Sequence, residues 1–224
     1  MRPADHEKIE VIPVKLLLAA YRMGMFPMAH EDGELYWHDP DPRAVFPLKD
    51  LRPDRRTEQH LRSQAIRITV NEAFSEVVRA CADREETWID DRIIRSYTQL
   101  HEAGFAHSVE VWKNDELVGG IYGVAIGGAF FGESMFGRNN MGKVAFFALA
   151  EMLLHKGYVL FDTQYLNPFT EKLGAMEISR SEYQRTLQQA LLLPVKFNAP
   201  DLQSAHAPVP VSADRSIGGT GDPY

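Results

Sequence analysis

Cysteine and long apolar runs are nearly absent from this chain. Cys81 is the single cysteine among 224 residues, so no disulfide can form within the chain, which fits a reducing compartment. No apolar run approaches the roughly 20 residues of a membrane-spanning helix, and residues 1–10 are polar and charged, unlike a signal peptide. We therefore expect a cytoplasmic protein that has no association with a membrane.

Positive charge is also scarce, because 24 basic residues stand against 31 acidic residues and the net charge is −7. A chain with this charge is not an obvious nucleic-acid binder, so any RNA contact has to rest on a local basic patch. Residues 51–67 are the candidate, with five arginines and two acidic residues. The RNA-binding candidates in this stretch are Arg52, Arg55, Arg56 and Arg62. The alternative is a helix face that is merely solvated.

Several motifs of familiar enzyme chemistry do not occur. The eight histidines are scattered without a His-x-x-x-His pair, so nothing indicates a metal site. A nucleophile elbow is missing, because the segment from Gly132 to Phe136 lacks the second glycine of Gly-x-Ser-x-Gly. No dinucleotide-binding or Walker fingerprint is present either. These absences argue against hydride transfer, nucleotide hydrolysis and triad hydrolysis, and we expect no cofactor and no metal ion.

Hydrophobic periodicity predicts a mixture of helices and strands. Three alternating segments, 108–112, 116–125 and 129–136, are separated by turn residues and predict an antiparallel meander. Two further strands are predicted over 66–70 and 158–161. Helices are predicted over 14–25, 141–155, 169–173 and 182–193, and two more begin after the capping residues Asn71 and Asp90. Residues 199–224 contain little apolar surface, and we expect a disordered tail there.

Polar side chains at the centre of the chain indicate a site. Glu133 interrupts an apolar, Gly-rich run, and Asp162 and Gln164 directly follow the predicted short strand. Residues i and i+2 of an extended segment share one face, so the last two side chains can meet. Polar groups at strand ends that face a helix N-terminus are common in the sites of α/β folds. A glutamine is not a base, but it can hold an amine or a carbonyl. The alternative is a simple polar turn.

The loop 138–143 lies between the last predicted strand of the meander and the helix over 141–155. Free N–H groups at a helix start attract anions, and Arg138 and Lys143 add positive charge at this one. The loop is therefore a candidate anion-binding site, and the alternative is an ordinary capped helix.

Several unusual segments also occur in one order along the chain. They are Tyr36-Trp37, Pro40-Asp41-Pro42-Arg43-Ala44-Val45, Glu85-Glu86-Thr87-Trp88, His107-Ser108-Val109-Glu110-Val111-Trp112, Gly132-Glu133-Ser134-Met135-Phe136, Phe161-Asp162-Thr163-Gln164 and Leu173-Gly174-Ala175-Met176-Glu177-Ile178. The pattern closely resembles the leucyl/phenylalanyl-tRNA–protein transferases over residues 16–193. This resemblance implies an α+β fold, with a small N-terminal domain over 1–50 and, over 51–198, an N-acetyltransferase-like (GNAT-like) mixed sheet flanked by helices.

The resemblance also implies a reaction. Members of this family move leucine or phenylalanine from charged tRNA to proteins that begin with Arg or Lys, which marks those proteins for N-degron proteolysis. The expected partners are thus leucyl-tRNA, phenylalanyl-tRNA and such acceptor proteins, with methionine as a further candidate donor, and we expect a monomer. The acceptor's α-amine attacks an ester that is already activated, and alignment of two reactants supplies roughly 7–11 kcal/mol.

Roles for individual residues follow from the same resemblance. Asp162 would orient Gln164, and Gln164 would hold the attacking amine, while either Asp162 or a tRNA hydroxyl takes the amine proton. Glu133 and Asp162 would supply negative charge for a cationic acceptor. The remaining substrate-binding candidates are Ser134, an apolar pocket of Ile121, Phe130, Phe146, Leu149 and Phe161, and, for the terminal adenosine, Trp88 with Met28, where the family usually has tryptophan instead of methionine.

Two other classes of function are compatible with these residues. A small-molecule N-acyltransferase would bind acyl-CoA and would not respond to aminoacyl-tRNA. A non-catalytic adaptor would bind cationic N-termini without transferring anything to them.

Overall fold

The computed structural model describes residues 11–85 and 87–197. Its helices are α1 (Val14–Arg22), α2 (Arg55–Leu61), α3 (Phe74–Ala82), α4 (Asp91–Glu102), α5 (Met141–Lys156), α6 (Pro168–Lys172) and α7 (Arg180–Leu191). Its strands are β1 (Phe26–Ala29), β2 (Leu35–His38), β3 (Arg43–Val45), β4 (Arg67–Val70), β5 (Ala106–Lys113), β6 (Glu116–Ile126), β7 (Ala129–Gly137), β8 (Leu160–Gln164) and β9 (Met176–Ile178).

A seven-stranded sheet, in the order β4-β5-β6-β7-β8-β3-β9, forms the centre of the protein. Strands β7 and β8 are parallel and α5 connects them, as a parallel pair requires. The other neighbours in the sheet are antiparallel, and β1 and β2 form a separate antiparallel pair. The predicted α+β fold with a mixed sheet and flanking helices is confirmed, and the closer likeness to N-acetyltransferases stays a prediction.

The two faces of the sheet carry separate hydrophobic cores. Consecutive strand residues point to opposite faces, and accordingly Phe130 packs in the core that contains α5, whereas Phe131 packs in the core that contains residues of α1, α3, α4 and α7. Eleven residues of α5 are buried. Such a helix is apolar on nearly every side, because it lies deep in the protein rather than at its surface.

The first turn of α5 packs directly on the backbones of β6 and β7. A Cβ added at Gly119 would lie 2.6 Å from the carbonyl carbon of Met141, and one at Gly142 would lie 2.9 Å from the Phe136 oxygen. Only glycine permits so close an approach at these positions. The approach places the start of α5 beside the last residues of β7, which run on from Glu133.

The longer elements agree with the sequence predictions. The antiparallel meander is confirmed as β5, β6 and β7, and the helix predicted over 141–155 is α5, which ends at Gly157 with φ 82°. The predicted cap Asp90 accepts the N–H groups of Arg92 and Ile93. Periodicity did not identify β1, β2, β3 or β9, which have three or four residues each.

Two local predictions were wrong. The strand predicted over 158–161 runs instead from Leu160 to Gln164, so Asp162 and Gln164 belong to the strand and do not follow it. Asn71 does not cap α3, which begins at Phe74. The Asn71 side chain accepts the Ser108 N–H at 3.0 Å, which ties it to β5 and not to the helix.

The predicted division into domains at residue 50 stays a prediction. Strand β3 lies before that boundary and pairs with both β8 and β9 of the large sheet. The tail expected over 199–224 lies outside the described residues. Across residues 11–85 and 87–197, no helix has both the length and the apolar character needed to cross a membrane.

Candidate active site

Asp162 lies at the centre of a buried ion pair between β3 and β8. The Arg43 guanidinium donates from Nε to Oδ1 at 2.9 Å and from Nη2 to Oδ2 at 2.7 Å, and both side chains are at most 1% exposed. The Tyr183 hydroxyl donates to Oδ2 at 2.6 Å. Arg43 also donates to the Gly24 carbonyl at 2.8 Å, and its guanidinium lies over the Tyr183 ring at 4.6 Å. The Asp162 carboxylate is therefore enclosed by side-chain donors from β3 and α7.

Asp162 also holds the backbone of Gln164. Its Oδ1 accepts the Gln164 N–H at 2.8 Å, and Gln164 adopts the left-handed conformation with φ 61°. For a residue other than glycine this conformation costs of order 1–3 kcal/mol, and it persists only where the surrounding structure enforces it. The hydrogen bond to Asp162 is one such constraint, and it sets the direction in which the Gln164 side chain leaves the strand.

The Gln164 side chain meets Glu133 of the neighbouring strand β7. Gln164 Nε2 donates to Glu133 Oε1 at 3.3 Å, and this oxygen also accepts the Tyr21 hydroxyl at 2.7 Å. The second oxygen, Oε2, lies 3.2 Å from the Tyr97 hydroxyl, which is also within hydrogen-bonding distance of the Tyr21 hydroxyl. Because Tyr97 has a single hydroxyl proton, it donates either to Oε2 or to the Tyr21 oxygen. Glu133 is thus fixed by groups from α1, α4 and β8.

Burial changes the ionisation of this cluster. Removal of Glu133 from water raises its pKa to about 8, and the charge of Asp162 adds to the rise against the lowering effect of the tyrosine hydrogen bonds. The pKa of Tyr21 and that of Tyr97 are both raised well above the usual value, first by burial and then by the Glu133 charge. The carboxyl of Glu133 therefore keeps its proton to a higher pH than an exposed glutamate does, and the tyrosines stay protonated beyond their usual range.

A cavity of about 920 Å³ opens beside Glu133 and Gln164. This volume is in the range of small-molecule and cofactor sites. The lining includes an aromatic and thioether group, Phe26, Met28, Trp88 and Tyr165, and a group at the start of α5, Gly137, Arg138, Asn140 and Lys143. Side chains of Ile121, Phe136 and Phe161 give the wall an apolar part. The arrangement can hold a long substrate with an apolar group and an anionic end.

The structure brings most of the residues predicted for substrate contact to this cavity. The predicted residues that line the cavity are Gln164, Glu133, Ser134, Ile121, Phe161, Trp88, Met28, Arg138 and Lys143. They come from five elements and two loops, so their meeting depends on the fold and not on proximity in the sequence. Their individual roles stay predictions.

Four predicted residues lie behind the cavity wall. Asp162 is 0% exposed and reaches the cavity only through Gln164. Phe130, Phe146 and Leu149 belong to the core around α5 and are absent from the lining. Phe146 stacks on Phe161 with ring centroids 5.6 Å apart, and Phe130 meets the same ring edge-on. These rings support Phe161 from behind, so any influence on a substrate passes through it.

The predicted arginines of residues 51–67 lie outside the cavity. Arg55 and Arg56 are exposed on α2, and Arg62 forms an exposed ion pair with Glu58 at 2.5 Å. Arg52 donates to the carbonyls of Lys49 and Leu51. Helix α2 contacts α5, where Lys143 lies 3.2 Å from Asp54, the residue that caps α2. The arginines of α2 are therefore next to the part of the cavity that Arg138 and Lys143 line.

The sequence did not single out four residues of this site. Tyr21 and Tyr97 occupy helix positions that periodicity assigns to the core, and Tyr183 lies on the far helix α7. Arg43 appeared only within a motif of the resemblance. The available signal was Glu133 itself, because a buried carboxylate requires partners, and polar side chains on apolar helix faces are the candidates to provide them.

Glu133 and Gln164 place a buried acid and an amide on the wall of a cavity of mixed polarity, an arrangement that is able to bind and align a substrate. Among residues 11–85 and 87–197, no three His, Cys, Asp or Glu side chains come together in a way that could hold a metal ion.

Comparison with known proteins gives the family. The family Leucyl/phenylalanyl-tRNA protein transferase matches residues 45–188, and the family Leucyl/phenylalanyl-tRNA protein transferase N-terminal domain matches residues 12–41. The chain belongs to the leucyl/phenylalanyl-tRNA protein transferase family.

The alignments with similar proteins extend over nearly the whole length of those relatives. The leucyl/phenylalanyl-tRNA–protein transferase of Gloeobacter violaceus is 49% identical over 185 residues, which cover 82% of this chain and 96% of the relative. That of Ruegeria sp. is 50% identical over 192 residues, which cover 84% and 91%. That of Pelodictyon phaeoclathratiforme is 46% identical over 193 residues, which cover 84% and 100%.

Proposed function

We propose that this protein transfers leucine, and also phenylalanine and methionine, from aminoacyl-tRNA to the N-terminal Arg or Lys of acceptor proteins. The product carries a new peptide bond and an N-terminal residue that marks it for proteolysis. The observation that carries the proposal is the contact between Gln164 and Glu133 on the wall of the cavity, in a chain whose relatives are named leucyl/phenylalanyl-tRNA–protein transferases.

Gln164 holds the acceptor amine in this mechanism. Its Nε2 donates to Glu133 Oε1 at 3.3 Å, which leaves its Oε1 to accept an N–H from the acceptor's α-amine. This hydrogen bond aims the nitrogen lone pair at the ester carbonyl. The ester is already activated, so alignment contributes most of the catalysis, for which roughly 7–11 kcal/mol is available.

The bonds and protons of the step balance without a protein base. The amine nitrogen forms a bond to the carbonyl carbon, the bond from that carbon to the ribose oxygen breaks, and the ribose oxygen leaves with a proton. The amine loses one proton as the peptide forms. Asp162 is fully buried and accepts hydrogen bonds from Arg43, Tyr183 and the Gln164 backbone. Because these hydrogen bonds already occupy the Asp162 carboxylate, we assign the removal of the amine proton to a tRNA hydroxyl. Asp162 then acts as a positioning residue.

The remaining contacts divide between the two substrates. The apolar part of the wall, with Ile121, Phe136 and Phe161, takes the leucine or phenylalanine side chain. Trp88 and Met28 contact the terminal adenosine, and Met28 offers a flexible thioether there instead of a second ring. Glu133 faces the cationic acceptor, whose charge favours the ionised carboxylate despite a pKa raised by burial to about 8.

The test is transfer of radiolabelled leucine from leucyl-tRNA to short peptides. A peptide that begins with Arg or Lys should acquire label, and the same peptide beginning with Ala or with an acetylated Arg should not. No label in any peptide, together with acetyl transfer from acetyl-CoA, would select an N-acyltransferase instead. Binding of the Arg peptide without transfer would select an adaptor.

A further inference from the structure

Arg84 is a cation on the cavity wall that takes no part in the proposed transfer step. It lies just after α3 and lines the cavity together with Trp88 and Ser134. Its Nη2 donates to the Ser134 hydroxyl at 3.3 Å and to the Met135 carbonyl. The guanidinium is thus held against β7 immediately beyond Glu133.

Among the residues that the structure describes, no acid is paired with Arg84. Within residues 11–85 and 87–197, its hydrogen bonds go to a hydroxyl and a carbonyl, and none of the ion pairs includes it. By contrast, Lys143, another cation of the same lining, lies 3.2 Å from the Asp54 carboxylate. Because both contacts that Arg84 makes within the described part of the chain use Nη2, its Nε and Nη1 hydrogens are not engaged there and can bind a substrate oxygen.

The substrates of the proposed reaction contain one kind of anion that fits. The acceptor presents an α-amine and a cationic side chain, and the amino acid on the donor presents an amine. The negative charges belong to the phosphodiesters of the RNA. A planar guanidinium with adjacent N–H groups matches a phosphate better than any other side chain does.

The position of Arg84 selects one phosphate. Strand residues rise by about 3.3 Å each, so Met135 is roughly 7 Å beyond Glu133 along β7, and Arg138 is roughly 17 Å beyond it. Arg84 therefore contacts β7 at positions closer to Glu133 than Arg138 is, which would place Arg138 farther along the RNA. We propose that Arg84 binds the phosphodiester that joins the last two nucleotides of the donor RNA, and so places the ester beside Gln164. This inference rests on the proposed function.

A series of donors with increasing RNA length tests the role. The donors are leucyl-adenosine, which has no phosphodiester, leucyl-cytidylyl-adenosine, which has one, and leucyl-tRNA, each with a saturating Arg-starting peptide. In the unmodified protein, KM should fall when the single phosphodiester is added. In Arg84→Gln this fall should disappear, with KM for the two phosphate-containing donors raised roughly tenfold to a hundredfold and KM for leucyl-adenosine unchanged.

Two further variants separate phosphate binding from support of β7. Arg84→Lys keeps the charge but loses the fork, so its KM should lie between those of the unmodified protein and Arg84→Gln. Arg79→Gln removes an exposed arginine of α3 outside the cavity and should behave like the unmodified protein. Thermal melting of each variant reports any loss of fold, and if Arg84→Gln does not fold, Arg84→Lys carries the comparison.

The outcomes separate a failure of the Arg84 role from a failure of the proposed transfer reaction. An equal rise in KM for leucyl-adenosine and leucyl-cytidylyl-adenosine, or no rise for any donor, would overturn the role of Arg84 while leaving the reaction intact. An unmodified protein that transfers leucine from none of the three donors would reject the proposed function itself.

Discussion

The carboxylate of Asp162 holds the backbone of Gln164 and does not touch its side chain. Oδ1 of Asp162 accepts the Gln164 N–H at 2.8 Å, and Gln164 stands in the left-handed conformation with φ 61°. The amide of Gln164 is consequently directed towards Glu133 of the adjacent strand. Asp162 thus fixes the position of Gln164, whereas the Gln164 amide makes the contact with Glu133. A single residue separates the two in the sequence.

Replacement of Asp162 by Asn should lower stability as well as transfer. The change removes the charge that matches Arg43, which is 1% exposed, and loss of one partner of a buried ion pair typically costs about 3–5 kcal/mol. Urea unfolding measures this cost. The double variant Arg43→Gln, Asp162→Asn should be less destabilised than the sum of the single variants. Simple additivity would show that the pair contributes nothing as a unit.

The stability of the protein should depend on the ionisation of Glu133. Its pKa is about 8 in the fold against 4.5 for a free glutamate, so between these values the folded state holds a proton that the unfolded chain has released. Stability from this group is therefore fully present below about pH 4.5 and is lost as the pH rises to about 8. The slope for one such group is roughly 1.4 kcal/mol per pH unit.

The variant Glu133→Gln isolates this effect. Glutamine cannot ionise, so the free energy of unfolding of the variant relative to the unmodified protein should increase steadily between pH 5 and pH 8. Other titrating groups cancel in the comparison, which requires only urea unfolding at several pH values. A difference that stays constant across this range would mean that Glu133 is already ionised in the fold at pH 5.

The arginines of α2 should control affinity for tRNA and its salt dependence. Arg55 and Arg56 are exposed next to the part of the cavity at α5, and each neutralised phosphate contributes about 0.7–0.9 to the slope of log affinity against log salt. Changing Arg55, Arg56 and Arg62 to Glu should weaken binding and flatten this slope. The control replaces Arg95 and Arg185, exposed on α4 and α7. If both proteins bind tRNA with the original affinity and slope, α2 is only a solvated helix.

Donors branched at Cβ should be transferred more slowly than leucyl-tRNA. Ile121 is 3% exposed and lines the cavity, so a branch close to the ester meets a packed wall. Ile121→Ala should raise the isoleucyl rate relative to the leucyl rate. Phe146→Ala, by contrast, removes a ring from behind Phe161 and should cost about 3–5 kcal/mol of stability. Equal rates for leucyl-tRNA and isoleucyl-tRNA in the unmodified protein would contradict this pocket.

The sequence indicated the parts of the fold that have a clear period. The meander alternates over long strands, and α5 is a 16-residue helix in which apolar residues predominate, so both were visible. Strand β3 has three residues and shows no period of its own. Its Arg43 pairs with Asp162 across 119 positions of the chain, and such a partner is chosen by packing of the whole sheet. For the same reason, the sequence showed Asp162 but not its enclosure, and Phe146 but not its place behind Phe161.

The most direct measurement of the central claim is mass spectrometry of the product formed from leucyl-tRNA and an Arg-starting peptide that also contains an internal Lys. The account predicts a peptide heavier by one leucine residue, with fragments that place the leucine on the N-terminal α-amine. The variant Gln164→Ala should reduce this product about a hundredfold, while Gln189→Ala, an exposed glutamine of α7, should leave it unchanged. Leucine on the internal Lys, or full activity of Gln164→Ala, would contradict the account.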